Sequence, residues 1–172
     1  MPRLIKDGAI VEDRWTLLRE AAPGEVPLGS PVIVPLALWG AARGALLARG
    51  EVGVWLAPDA DPEALAADTG SLPLIAVDFP QFTDGRGYST ARLLREKYGF
   101  AGELRAIGDV LRDQLFYLRQ CGFNAFAMRA DRNLEDALLG LRDFSDSYQA
   151  TVAAPLPLFR RRAVSPRLAE GS

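Results

Sequence analysis

From residue 51 onward, short apolar runs alternate with stretches whose apolar residues recur every three or four positions. Val52–Ala57, Leu74–Phe79, Leu104–Ile107 and Ala125–Met128 are the runs. They read as strands covered on both faces, as in a parallel sheet. Pro62–Asp68, Tyr88–Tyr98, Val110–Cys121 and Leu134–Phe144 follow them as helices. Ala91, Leu94 and Tyr98 form one helical stripe, and Leu111, Leu115 and Leu118 the next. Gly99-Phe100 and Gly122-Phe123 end two successive helices alike, with a left-handed glycine cap and a phenylalanine folding back. This rhythm predicts right-handed βαβ units.

Before residue 51 the pattern differs. Arg3-Leu4-Ile5 is a short strand, Lys6-Asp7-Gly8 a turn and Ala9–Leu17 a return strand, which together predict a β-hairpin. Residues 21–31 are a loop, broken by prolines and glycines. Val32–Pro35 is extended, and Ala37–Ala48 is helical in composition despite Gly40 and Gly44. The fold class is therefore α/β: one domain over residues 1–150, with about four parallel βα units after an N-terminal hairpin. Four such units make a half-barrel, preferred here over an open parallel sheet. Either leaves sheet edges that the hairpin or a second copy in a homodimer would cover. Prolines 155, 157 and 166 and Arg160-Arg161-Arg162 mark residues 151–172 as a disordered tail.

Composition narrows the chemistry. Of 172 residues, 49% are apolar and 24% charged, with net charge −2, so neither nucleic acid nor anionic membrane is an expected partner. There is no histidine and one cysteine. That excludes a histidine-based triad, an internal disulfide, a CxxC redox pair and a histidine-ligated haem. The chain also lacks the ligand sets for zinc or an iron–sulfur cluster, so neither of these metal sites is expected. Residues 1–8 do not read as a secretory signal, and no apolar run is long enough to span a bilayer, which makes a cytoplasmic protein the expectation.

Charge returns inside the apolar block Val77–Gly122. Asp78 sits within a strand, where a carboxylate needs a partner or a ligand-facing end. Asp84-Gly85-Arg86-Gly87 leads into a helix opened by Tyr88-Ser89-Thr90. Backbone N–H groups there, with Gly85, Arg86, Gly87, Ser89, Thr90 and Arg92, suit an oxyanion. The plainer alternative is a tight turn with a helix cap. Gly85–Thr90 departs from a dinucleotide fingerprint by its distance from the strand and its missing third glycine, so NAD(P) is not expected. Asp78, Asp84, Arg105, Asp109 and Arg129 form a candidate polar site at strand ends, able to hold Mg²⁺ with a phosphate; Asp109 as a simple helix cap is the competing reading. Cys121, at a helix C-terminus without a base or second thiol, reads as packing.

The block DFPQFTDGRGYSTARLLREKYGFAGELRAIGDVLRDQLFYLRQCGFNAFAMRAD resembles the signature of a bacterial family, domain of unknown function 934, over about residues 3–150. The resemblance implies an oxidoreductase or an accessory protein of assimilatory sulfite reduction, a label that rests on neighbouring genes. It supplies no catalytic residues. Three functions follow as expectations. One is an accessory protein that binds an oxyanion or a partner such as sulfite reductase without carrying electrons. Another is an enzyme using an organic cofactor, whose identity the residues leave open, or Mg²⁺ on Asp78, Asp84 or Asp109. The third is a structural subunit.

Overall fold

The computed structural model describes residues 2–151 and the side chains of residues 2–142. Arg3–Lys6 (β1) and Ala9–Glu12 (β2) form the antiparallel hairpin. Asp7 and Gly8 turn it with φ of 51° and 79°, the left-handed geometry a two-residue hairpin turn needs. The predicted return strand does not run on to Leu17. Asp13 ends the ladder by donating its backbone N–H to the Pro2 carbonyl, and its carboxylate accepts the Trp15 N–H at 3.0 Å. The chain then crosses to the far edge of the sheet, where Thr16–Leu17 (β3) pairs parallel with Val32–Pro35 (β4).

Val52–Leu56 (β5), Leu74–Phe79 (β6), Glu103–Gly108 (β7) and Ala125–Phe126 (β8) continue in parallel. The sheet order is β2-β1-β8-β7-β6-β5-β4-β3, so chain order and spatial order agree from β3 to β8. Six strands are parallel rather than four, because β3 and β4 join the series. Four helices pack on one face: Leu36–Arg49 (α1), Arg86–Arg92 (α2), Leu115–Cys121 (α3) and Leu134–Thr151 (α4). Connections of one hand in sequential order place every helix on the same side. The sheet curls as a half-barrel.

All four helices predicted after residue 51 depart from their spans, the last by running on to Thr151 rather than ending at Phe144. Pro62–Leu65 is only a 3-10 turn. α2 widens into a π-helical turn over Leu93–Lys97. Leu111 is extended (φ −100°, ψ 149°), so its helix starts late, after a 3-10 turn at Arg112–Gln114. The predicted tail lies, from residue 152 onward, outside the described residues.

The main core lies between sheet and helices. Ile75, Val77 and Phe79 of β6 meet Ala91 and Leu94, Leu115 and Leu118, and Phe123 there. Alternate residues face the helix-free side, where Ile33, Leu74, Ala76 and Ile107 form a small second cluster under Trp15, Leu17 and Trp55. Arg95, in the π-helical turn, is buried. It donates from Nε to Gly122 O (2.9 Å) and from Nη1 to Phe100 O (2.8 Å) and Gly102 O (2.9 Å). It also reaches Asn124 Oδ1 at 3.4 Å and lies 5.5 Å from the Phe100 ring centre. Gly122, at φ 118°, leaves room for it: a Cβ would stand 2.6 Å from Arg95 Cγ.

Asp68 anchors α1. Trp39 Nε1 donates to it at 3.0 Å and Arg43 Nε at 2.7 Å. Burial pushes its carboxyl up, but the Arg43 and Trp39 hydrogen bonds outweigh this and hold it below the usual aspartate range.

Arg95→Met should lower stability in urea unfolding by about 3 kcal/mol or more, because three backbone carbonyls lose a buried donor; a loss below about 1 kcal/mol would contradict the role given to Arg95. Asp68 makes its contribution as the anion. That contribution is present above the unfolded aspartate value of about 3.9 and is lost as pH falls through the lower folded value. Asp68→Asn should therefore flatten the fall of stability below about pH 4. An unchanged slope in acid unfolding would exclude that contribution.

Candidate functional site at the carboxyl ends of the parallel strands

Asp78, next to last in β6, faces the helix-free side beyond Leu74 and Ala76. Although 8% exposed, it is not alone. Arg19, just past β3, grips it with two hydrogen-bonded contacts, Nη1 to Oδ2 at 2.9 Å and Nη2 to Oδ1 at 3.1 Å. The same guanidinium lies 5.0 Å from the ring centre of Trp55 on β5, and Trp55 Nε1 donates to the Leu18 carbonyl at 2.9 Å. The arginine is half exposed, so the pair contributes about 1 kcal/mol at most beyond compensating the buried carboxylate.

The end of β7 presses onto Asp78. At Gly108 (φ 93°) a Cβ would stand 2.4 Å from Phe79 O and 2.7 Å from Asp78 Oδ1, so only glycine fits. The next residue, Asp109, donates its N–H to Phe79 O at 2.6 Å. Its carboxylate faces two arginines from the loop after β8: Arg129 Nη1 at 3.4 Å and Arg132 Nη2 at 3.7 Å. Arg129 also holds Asp131 through Nε at 3.2 Å and Nη2 at 2.8 Å. Asp78, Asp109 and Arg129, singled out from sequence, thus line one strip at the strand ends. Arg19, Trp55 and Arg132 complete it. Their sequence neighbourhoods carry no motif, since Arg19 and Asp78 are 59 residues apart.

The 84–90 loop is closed on itself. Asp84 Oδ1 accepts from Arg86 N and Nε, both at 3.1 Å, and Oδ2 from Nη2 at 2.8 Å. The Arg86 hydrogen bonds hold the Asp84 carboxyl below the usual carboxylate range. Thr90 Oγ1 donates back to Arg86 O at 3.3 Å, and Ser89 is exposed. Arg92 turns to Tyr117 and Cys121 instead. Gly87 answers a packing demand, as a Cβ would stand 2.5 Å from the Phe79 ring. Arg86, Arg92 and the Thr90 hydroxyl therefore already have partners within the loop and α3.

Arg105 lies lower on β7, away from the strand end. Its Nε binds Glu103 Oε2 at 2.7 Å and its Nη1 binds Asp13 Oδ2 at 3.0 Å, while Lys6 Nζ reaches Glu103 Oε1 at 3.1 Å. This network ties the hairpin exit and β1 to β7. Cys121 is buried, and burial pushes its thiol up while Arg92 pulls against it. A thiol so placed is a packing group.

An aromatic surface adjoins the rim on the helix side. Phe82 and Tyr117 are 47% and 54% exposed, beside the half-buried Tyr88. Tyr88 packs edge-on to Tyr117 at 5.2 Å and to the buried Phe79 at 5.6 Å. Gln114 links the Phe82 backbone to the Tyr88 hydroxyl, with Nε2 donating to Phe82 O at 2.7 Å and to Tyr88 Oη at 3.1 Å, and Oε1 accepting Leu111 N–H at 2.9 Å.

Residues 53–159 match the model of the family described as bacterial protein of unknown function (DUF934). No curated protein matches the chain.

The two loop glycines separate packing from permissiveness. Gly87→Ala should destabilise by about 1–3 kcal/mol through overpacking against Phe79. Gly85→Ala, whose Cβ would meet nothing nearer than 3.9 Å, should stay within about 0.5 kcal/mol of the parent. Thermal unfolding of both variants decides; equal losses would contradict the packing role of Gly87.

Proposed function

The chain belongs to the bacterial DUF934 family, and we propose that it is an accessory protein of assimilatory sulfite reduction that docks on sulfite reductase without carrying electrons itself. The carrying observation is the Phe82–Tyr88–Tyr117 surface, where Gln114 binds the Phe82 carbonyl and the Tyr88 hydroxyl and Tyr117 packs on Tyr88. Tyrosine, phenylalanine and arginine are the residues that anchor protein interfaces, and here Arg86 and Arg92 come from the same helix as Tyr88. Aromatic rings fixed before binding lose little conformational freedom on docking. The enzyme as partner is suggested by the resemblance to a family whose genes neighbour sulfite reductase. The absence of electron transfer is suggested by residue content: no histidine, and a single cysteine that lies beneath this surface rather than on it.

Titration of purified sulfite reductase with the full chain tests this reading. Phe82→Ser and Tyr117→Ser should each weaken binding at least about tenfold, or about 1.4 kcal/mol. Leu139→Ser, a comparably exposed apolar position on α4, should leave it unchanged. No binding by the parent chain at tens of micromolar (about −6 kcal/mol), or equal binding by all three variants, would overturn the proposal.

A further inference from the structure

We propose that Asp109, Arg129 and Arg132 form a binding site for a small oxyanion that keeps one acidic hydroxyl, of the hydrogen phosphate type. The site is separate from the docking surface and from the 84–90 loop. It lies where β7 and β8 end, the side of a parallel sheet on which ligands collect.

Arg132 carries the inference. Its Nε is shielded from solvent and has no hydrogen-bond partner among the described residues. Its ion pair among the described residues, to Asp109 at 3.7 Å, is beyond hydrogen-bonding reach. A guanidinium offers five donors, and leaving shielded ones unmet calls for an explanation such as an ion. The backbone holds it there: Arg132 N donates to Arg129 O at 3.0 Å, so one turn presents both arginines to Asp109. Arg129 is fixed from behind by Asp131 and keeps only a long 3.4 Å contact to Asp109.

The nearby carboxylates of α4 are drawn off. Glu135 pairs with Arg3 at 2.7 Å and Asp136 with Arg112 at 3.0 Å, both from other elements. Asp131, which also feels Arg132, is taken up by Arg129 through Nε and Nη2, so Asp109 is the carboxylate left facing both arginines, and its charge decides the ligand class. Oδ1 is the atom that faces both arginines, and Oδ2 accepts no hydrogen bond among the described residues. A fully deprotonated oxyanion meets repulsion at Oδ2. One that retains a hydroxyl donates it to Oδ2 while its charged oxygens accept from Arg129 and Arg132.

Calorimetric titration of the full chain with inorganic phosphate, and with sulfate as the oxyanion lacking a hydroxyl at neutral pH, tests the site. Phosphate should bind at least about tenfold tighter than sulfate. Arg132→Gln and Arg129→Gln should each weaken phosphate binding about tenfold, Arg132→Lys should lose less, and Arg86→Gln should change nothing. Asp109→Asn should remove the preference for phosphate over sulfate. Unaltered thermal unfolding without ligand would show that each variant keeps the fold. Phosphate binding that is undetectable in the parent chain, unchanged in Arg132→Gln, or lost in Arg86→Gln would overturn the proposal.

Discussion

The Arg95 guanidinium is the contact on which the placement of the strand ends depends. It collects carbonyls from the loops that precede β7 (Phe100, Gly102) and β8 (Gly122), and reaches Asn124. Asn124 in turn accepts the Leu104 N–H at 2.8 Å, gives its side-chain N–H to Asp7 and exchanges backbone hydrogen bonds with Asp7 and Leu104. One buried cation therefore joins α2, two parallel strands and the hairpin turn. A charge in that position is stable only because its donors are met, and the same requirement fixes where β7 and β8 begin. Strand length then delivers Asp109 and Arg129 to the same rim.

The helix-free face obeys a related constraint. Among the described residues no helical layer lies on that face, and its small apolar cluster cannot cover it alone. Charge pairs do part of the covering. Arg105 with Asp13 and Glu103 closes one end, and Arg19 on Asp78 over Trp55 closes the other. The first reaches the segment between β2 and β3 at Asp13 and the second the stretch just past β3 at Arg19, so together they hold both sides of β3 across the sheet. Removing Asp78 would strand the stacked Arg19, and removing Asp13 and Glu103 together would strand the buried Arg105, which makes these residues structural before they are anything else. What stays accessible is the rim beyond them and the aromatic surface beside α2 and α3.

Much of the fold was legible because it rests on local periodicity. The four runs after residue 51 all form strands, the middle two buried throughout their apolar stretch, and the glycine–phenylalanine pairs do mark two helix ends, with Gly99 and Gly122 at positive φ. Less legible were features set by distant partners. β3 is two residues long and is a strand only because β4 lies beside it. The Val110–Leu111 stretch looks helical by period, yet Gln114 holds Leu111 extended. At the rim, Asp78 and Asp109 stood out because carboxylates are conspicuous beside apolar strands. Arg19 and Arg132 did not, since an arginine in a polar loop is ordinary until its neighbours are known. The 84–90 loop shows the converse: Gly87 serves the Phe79 ring, and the partner of Arg86 is two residues away.

A partner seated on the aromatic surface implies a specific footprint. Hydrogen–deuterium exchange of the full chain, alone and with sulfite reductase, reads it directly. Slowed exchange should concentrate in residues 80–92 and 114–121, where Phe82, Tyr88, Gln114 and Tyr117 meet. Protection confined to the sheet edges at β2 and β3, or no protection at saturating enzyme, would contradict it.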